Sequence, residues 1–161
     1  MLKNLLFCLI LLLLSINLNA QSGVKFPELV KRLDPYFDSS LIEDVRLQLP
    51  QGSDFNIWGY DVGDYSGDGY NDLALTLRLS GDRSRKMYLY LFVDIDGFLT
   101  KVGQFTYEFL ELPLEIGVVI RDDKAIVTKK NKQYDWTMDA FTFDNGALTK
   151  AKFLLHVELA I

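Results

Sequence analysis

The stretch Val62-Gly63-Asp64-Tyr65-Ser66-Gly67-Asp68-Gly69-Tyr70-Asn71-Asp72-Leu73-Ala74-Leu75 joins a loop rich in acids and glycines to an alternating segment. In that segment Leu73, Leu75, Leu77 and Leu79 are separated by small or polar residues. A period of two residues is typical of a β-strand, because successive side chains of a strand point to opposite faces of its sheet. The stretch therefore predicts a compact loop that leads directly into a strand.

The loop places oxygen-bearing side chains at its positions 1, 3, 5 and 9, which are Asp64, Ser66, Asp68 and Asp72. Calcium is a hard cation that takes six to eight oxygen ligands, and a short loop supplies them by curling around the ion. The backbone carbonyl of Tyr70 would fill the gap between the side chains. These five residues are the candidate ligands of one calcium ion.

Two interpretations of the loop stay open at this point. Gly67 and Gly69 allow the backbone angles of a tight curl, which favours a cage around a cation. Without a cation, the three carboxylates would repel one another, and the loop would instead be an open, solvated surface turn. An EF-hand is excluded, because position 12 of the loop is Leu75 and the flanking segment has the period of a strand.

The quoted stretch resembles the FG-GAP/VCBS repeat, a blade of the integrin-α-like β-propeller, whose core reads roughly G-D-[FY]-[ND]-G-D-G-x-x-D-[LI]-A. The resemblance runs from about Ile57 to Tyr90. It implies a loop that joins two strands of a blade and holds calcium through Asp64, Ser66, Asp68, the Tyr70 carbonyl and Asp72. The chain departs from the pattern at Ser66, where the repeat usually has Asn or Asp.

The rest of the chain also predicts strands, arranged as hairpins. Turn dipeptides stand at Asp96-Gly97, Asp122-Asp123 and Asn145-Gly146, each between apolar or β-branched runs. The segment around Asp96-Gly97 is similar to the segment around Asn145-Gly146, which indicates a repeat of about 50 residues. The second repeat is degenerate, because Arg121-Asp122-Asp123 lacks the spacing of the calcium loop.

We therefore expect an all-β fold of antiparallel, propeller-blade-like sheets, with two blade-like units and one short N-terminal helix. Two blades cannot close a ring. Three explanations stay open: the chain is part of a longer propeller, the units form a compact sandwich or open barrel, or oligomerisation completes the sheets.

The N-terminus predicts export. Residues 1–20 contain Lys3, the apolar run Leu5 to Leu14, and a small residue at Ala20, which together are typical of a cleaved signal peptide. An uncleaved membrane anchor is the alternative.

The remaining chain would be one domain, with a helix and a strand in residues 21–52 and a β-rich region in residues 53–161. The helix is predicted from the spacing of Phe26, Leu29, Val30 and Leu33, and the strand from the alternation over 45–49.

The net charge and the types of residue present make several classes of function improbable. The net charge of −5, with no large basic cluster, argues against binding to nucleic acid or to an anionic membrane. His156 is the only histidine, and it stands in an apolar stretch. Asp94 with Asp96, or pairs among Glu108, Glu111 and Glu115, are conceivable glycosidase pairs, but their spacing in the sequence does not give their separation in space. We expect no stable membrane insertion after cleavage of the signal peptide.

The sequence thus predicts a non-enzymatic interaction or adhesion module that is secreted, periplasmic or displayed at the cell surface. Calcium would stabilise one blade loop, and the partner would be a protein or a glycan. The alternative is an accessory domain or fragment of an extracellular enzyme that acts on polysaccharide.

Overall fold

The computed structural model describes residues 23–51, 54–108, 116–130 and 136–155. The expected signal peptide at residues 1–20 lies outside the described residues. Two helices come first, α1 (Phe26–Leu33) and α2 (Ser39–Gln48). Eight strands follow, namely β1 (Phe55–Gly63), β2 (Asp72–Leu79), β3 (Lys86–Ile95), β4 (Phe98–Glu108), β5 (Ile116–Arg121), β6 (Lys124–Lys130), β7 (Trp136–Asp144) and β8 (Ala147–Leu155).

The strands form two antiparallel sheets of four strands each, in the orders β1-β2-β3-β4 and β5-β6-β7-β8. We call them the first and second sheets. Each strand pairs with its neighbour in the chain, so the expected all-β fold of two blade-like units is confirmed.

The three predicted hairpin turns are confirmed as two-residue turns with left-handed backbone angles. Asp96 and Gly97 have φ values of 54° and 81°, and Asn145 and Gly146 have 50° and 77°. In the third turn Asp122 has a φ of 50°. Positive φ at both central residues is the mark of a type I′ turn, whose twist matches that of the strands it joins.

Helix α1 forms where the apolar spacing predicted it. Leu29 and Leu33 are fully buried, and Pro27 lies in the first turn, where its missing N–H has no helical partner to lose. Val24, which precedes the helix, forms an isolated antiparallel bridge with Ile57 of β1. The helix is therefore attached to the first sheet at both its apolar face and its entry point.

The strand predicted over residues 45–49 is wrong, because residues 39–48 form the helix α2. The Asp38 side chain accepts hydrogen bonds from the backbone N–H groups of Ser40 and Leu41, at 3.0 and 3.1 Å, and so caps the first turn. Ile42 and Val45 then turn to the core, whereas Leu47 is exposed. The prediction of one N-terminal helix is corrected to two.

The molecule has three layers. One face of the first sheet packs on both helices and contributes Ile57, Leu73, Leu75 and Phe92 to that core. Its other face packs on the second sheet, and the core between the sheets contains buried side chains of both, namely Ala74, Leu89, Leu91, Val93, Tyr107, Ala125, Val127 and Phe141. Among the described residues, neither helix is long and apolar enough to cross a bilayer.

Candidate functional site

The segment from Asp64 to Asn71 connects β1 to β2 and contains the predicted calcium loop. Gly67 and Gly69 have φ values of 78° and 90°, and a Cβ atom added at either would have open space around it. These two positions favour glycine because of the backbone angle alone. The prediction that the glycines allow a tight curl is confirmed.

The Asp64 carboxylate organises the curl. It accepts backbone N–H groups from Gly67 at 2.6 Å, Asp68 at 3.2 Å and Gly69 at 2.7 Å. The Ser66 hydroxyl also lies 3.3 Å from the same carboxylate. Three successive backbone donors therefore converge on one side chain, which supplies negative charge where the loop would otherwise leave donors unpaired.

Asp72 lies at the opposite end of the loop and is completely buried. Its Oδ2 accepts the N–H groups of Tyr65 at 2.9 Å and Ser66 at 2.8 Å, and its Oδ1 accepts the N–H of Asp94 in β3 at 3.1 Å. Burial raises the pKa of the Asp72 carboxyl, and these N–H groups oppose the rise. Asp72 thus fastens the loop to the first sheet.

Asp68 and Tyr70 are placed differently. Asp68 is exposed, and its carboxylate accepts the N–H of Tyr70 at 2.9 Å. The Tyr70 side chain is 65% exposed. The loop therefore has a solvent-facing part around Asp68 and Tyr70 and a buried part at Asp72.

The fit of these residues to a calcium ion is partial. All five supply the oxygen chemistry that calcium prefers, and a carboxylate has about four acceptor positions, more than its hydrogen bonds use at Asp68 and Asp72. In this conformation, however, no three acidic, histidine or cysteine side chains among the described residues are grouped closely enough to hold a metal. The structure brings Asp64 together with Ser66, but it does not gather Asp64, Asp68 and Asp72 into one group.

Tyr65 attaches the loop to the core at a second point. Its side chain is 1% exposed and lies in the core between the two sheets. Burial raises the pKa of its hydroxyl, and the nearby Asp72 charge adds to the rise. This aromatic side chain of an otherwise acidic loop therefore lies in the protein interior.

A polar cluster between the sheets was not predicted from the sequence. The Tyr107 hydroxyl of β4 donates to Oδ2 of Asp139 in β7 at 2.8 Å, and Lys150 of β8 pairs with the same oxygen at 2.9 Å. Asp139 is 6% exposed, and the Lys150 ammonium lies 5.3 Å from the ring centre of Phe105. We call Tyr107, Asp139 and Lys150 the inter-sheet cluster.

The carboxylates considered as glycosidase pairs lie outside the calcium loop and outside the inter-sheet cluster. Asp94 accepts the N–H of Gly97 at 2.9 Å and so supports the β3–β4 turn, and Asp96 lies within that turn. Glu108 is exposed at the end of β4, whereas Glu111 and Glu115 lie outside the described residues. The described geometry thus gives Asp94 a structural use and provides no argument for catalysis by these residues.

Comparisons with protein-family models, with curated proteins and with solved structures found no match to this chain.

Proposed function

We propose that the chain is an exported, non-enzymatic interaction module in which calcium stabilises the loop between β1 and β2. The spacing of Asp64, Ser66, Asp68, Tyr70 and Asp72 and the left-handed glycines of the loop support the calcium site. Residues 1–20 support export. The partner would be a protein or a glycan outside the cytoplasm.

One observation supports a role for calcium in holding the strands together: the Asp72 carboxylate accepts hydrogen bonds from both the loop and β3. Its hydrogen bonds reach Tyr65 and Ser66 on one side and Asp94 on the other. A cation that fixed the loop would therefore also strengthen the attachment between β2 and β3. The ion would act by holding strands and their loops in one arrangement for a partner, and it would take no part in a reaction.

The test is thermal unfolding of the chain with calcium and with a chelator. Extracellular calcium sites bind at about 10⁻⁴–10⁻³ M. At ten times the dissociation constant, binding to the folded state adds about 1.4 kcal/mol, which corresponds to a rise in Tm of about 3–6 °C. Asp68→Ala should remove the rise, because it deletes the exposed carboxylate of the loop.

Asp82→Ala is the matched control. Asp82 is an aspartate in the loop between β2 and β3, and its carboxylate accepts hydrogen bonds from Ser84. This variant should keep the calcium-dependent rise in Tm. Superimposable unfolding curves of the unmodified chain in calcium and in chelator would contradict the proposed calcium site.

A further inference from the structure

The two sheets have four edge strands, and two of them are covered by backbone or side-chain partners from other elements. Val24 exchanges hydrogen bonds of 2.7 and 2.8 Å with Ile57 on the free side of β1. On the free side of β4, the Gln48 side-chain amide donates to the Leu99 carbonyl at 2.6 Å and accepts the Lys101 N–H at 2.7 Å. A side chain of α2 thus occupies the place of a neighbouring strand.

Among the residues that the structure describes, the third edge, β5, is covered at one point, and the fourth, β8, is not. The Asp61 carboxylate of β1 accepts the N–H of Ile120 in β5 at 2.7 Å. Strand β8 is the last strand of the second sheet, and within the described residues its backbone hydrogen bonds go to β7 alone. Uncovered edges pair readily with another chain, so proteins usually block them.

The register of the β7–β8 hairpin shows which backbone groups face outward. Asp144 pairs with Ala147 across the Asn145-Gly146 turn, and a two-residue hairpin closes on a hydrogen-bonded pair. Because antiparallel ladders alternate, the N–H and C=O groups of Leu148, Lys150 and Lys152 point away from β7. They offer donors and acceptors at every second residue.

The side chains along β8 determine the charge and the size of the groups beside this edge. Lys150 and Lys152 are exposed and belong to the same row as Leu148, which packs against the core between the sheets, and Lys150 also pairs with Asp139. The other row begins with the small residues Ala147, Thr149 and Ala151 and continues with Phe153 and Leu155. Between Ala147 and Lys152 the edge therefore has small side chains on one face and two lysines on the other.

We propose that β8 binds an extended, acidic segment of a partner protein, which adds to the second sheet as an antiparallel strand. Acidic side chains at alternate positions of the segment would lie opposite Lys150 and Lys152, where opposite charges stabilise a strand pair. This proposal deepens the proposed interaction function by naming its surface and partner, but it does not depend on calcium.

A second copy of the chain is a poorer occupant of the same edge. Two copies of β8 could pair symmetrically as antiparallel strands. In the register that overlaps Ala147–Leu155 fully, Lys150 of one copy lies opposite Lys152 of the other. Like charges directly opposite each other destabilise a strand pair. Charge complementarity therefore favours an acidic partner.

The experiment measures fluorescence anisotropy of three labelled nonapeptides added to the chain. One alternates Glu with Val, one alternates Lys with Val, and the third is the Glu peptide with N-methyl groups on the amides that would face β8. We expect only the unmethylated Glu peptide to bind well, in calcium and in chelator alike. Lys152→Glu should weaken its binding by about two- to fivefold, the factor that one cross-strand charge pair contributes, and should improve binding of the Lys peptide.

Two further variants separate strand addition from general charge attraction. Lys152→Pro removes an outward N–H together with the lysine charge but no hydrogen bond to β7, so it should abolish binding, a larger loss than in Lys152→Glu, while circular dichroism remains unchanged. Lys124→Glu makes the same charge change as Lys152→Glu on β6 and should leave binding unchanged. Equal binding of the methylated peptide, equal loss in Lys124→Glu, absence of binding, or pairing of β8 between two copies in sedimentation and NMR would each overturn the proposal. Loss of calcium binding alone would refute only the calcium site.

Discussion

Asp72 and Asp68 belong to the same loop, but their surroundings differ. The buried Asp72 carboxylate holds three backbone N–H groups, whereas the exposed Asp68 holds one. Replacing Asp72 by Ala leaves buried donors unpaired, so we expect a loss of about 2–4 kcal/mol in the free energy of unfolding. Asp68→Ala, compared in chelator, should change it by less than about 0.5 kcal/mol.

Urea unfolding of both variants in the presence of chelator measures this difference. The loss in Asp72→Ala should persist in chelator, because hydrogen bonds within the protein cause it. Equal stabilities of the two variants would contradict the structural role assigned to Asp72.

At the scale of elements, short-range signals predicted the turns well and the second helix badly. The Asp96-Gly97 and Asn145-Gly146 turns need left-handed backbone angles that these residue types tolerate, so their identities were informative. Over residues 45–49 the apolar pattern fitted a strand, but five residues are too few to separate a period of two from one of 3.6. Asp38 as a cap, followed by Ile42 and Val45 on one face, was the signal for α2.

The cap itself can be tested. Asp38→Ala removes the acceptor for the N–H groups of Ser40 and Leu41, and we expect it to cost about 1 kcal/mol of stability. Chemical unfolding followed by circular dichroism measures the loss. Asp34→Ala, just after α1, is a matched control that should have a smaller effect, and an Asp38→Ala variant as stable as the unmodified chain would show that the cap contributes nothing.

At the scale of the whole molecule, the packing of one sheet on the other could not be derived from the sequence. The period of two predicted which residues share a face, but not which face meets which. Ala74 and Thr76 read as the small or polar face of β2, yet they are buried against the second sheet. In the same way, the spacing of the loop identified its acids but not the backbone N–H groups that the Asp64 and Asp72 carboxylates accept.

The inter-sheet cluster provides a way to measure how much contacts between the two sheets contribute to the free energy of unfolding. Tyr107→Phe removes a buried hydrogen bond to the Asp139 carboxylate, and hydrogen bonds to charged groups contribute about 1.5–3 kcal/mol. We expect that loss in urea unfolding, and little change for the control Tyr36→Phe, whose side chain is 53% exposed. A double-mutant cycle with Lys150→Met should show coupling, and strict additivity would mean that the cluster does not act as a unit.

The consecutive order of the strands has a consequence for assembly. Every ladder joins segments that are close in sequence, so each pairing closes only a short loop and loses little chain entropy. The helices and the first sheet all precede residue 109, and they can therefore associate while later residues are still being synthesised. Until β5 to β8 arrive, the surface around Leu89 and Leu91 stays uncovered, and the growing chain is most exposed to aggregation during that interval.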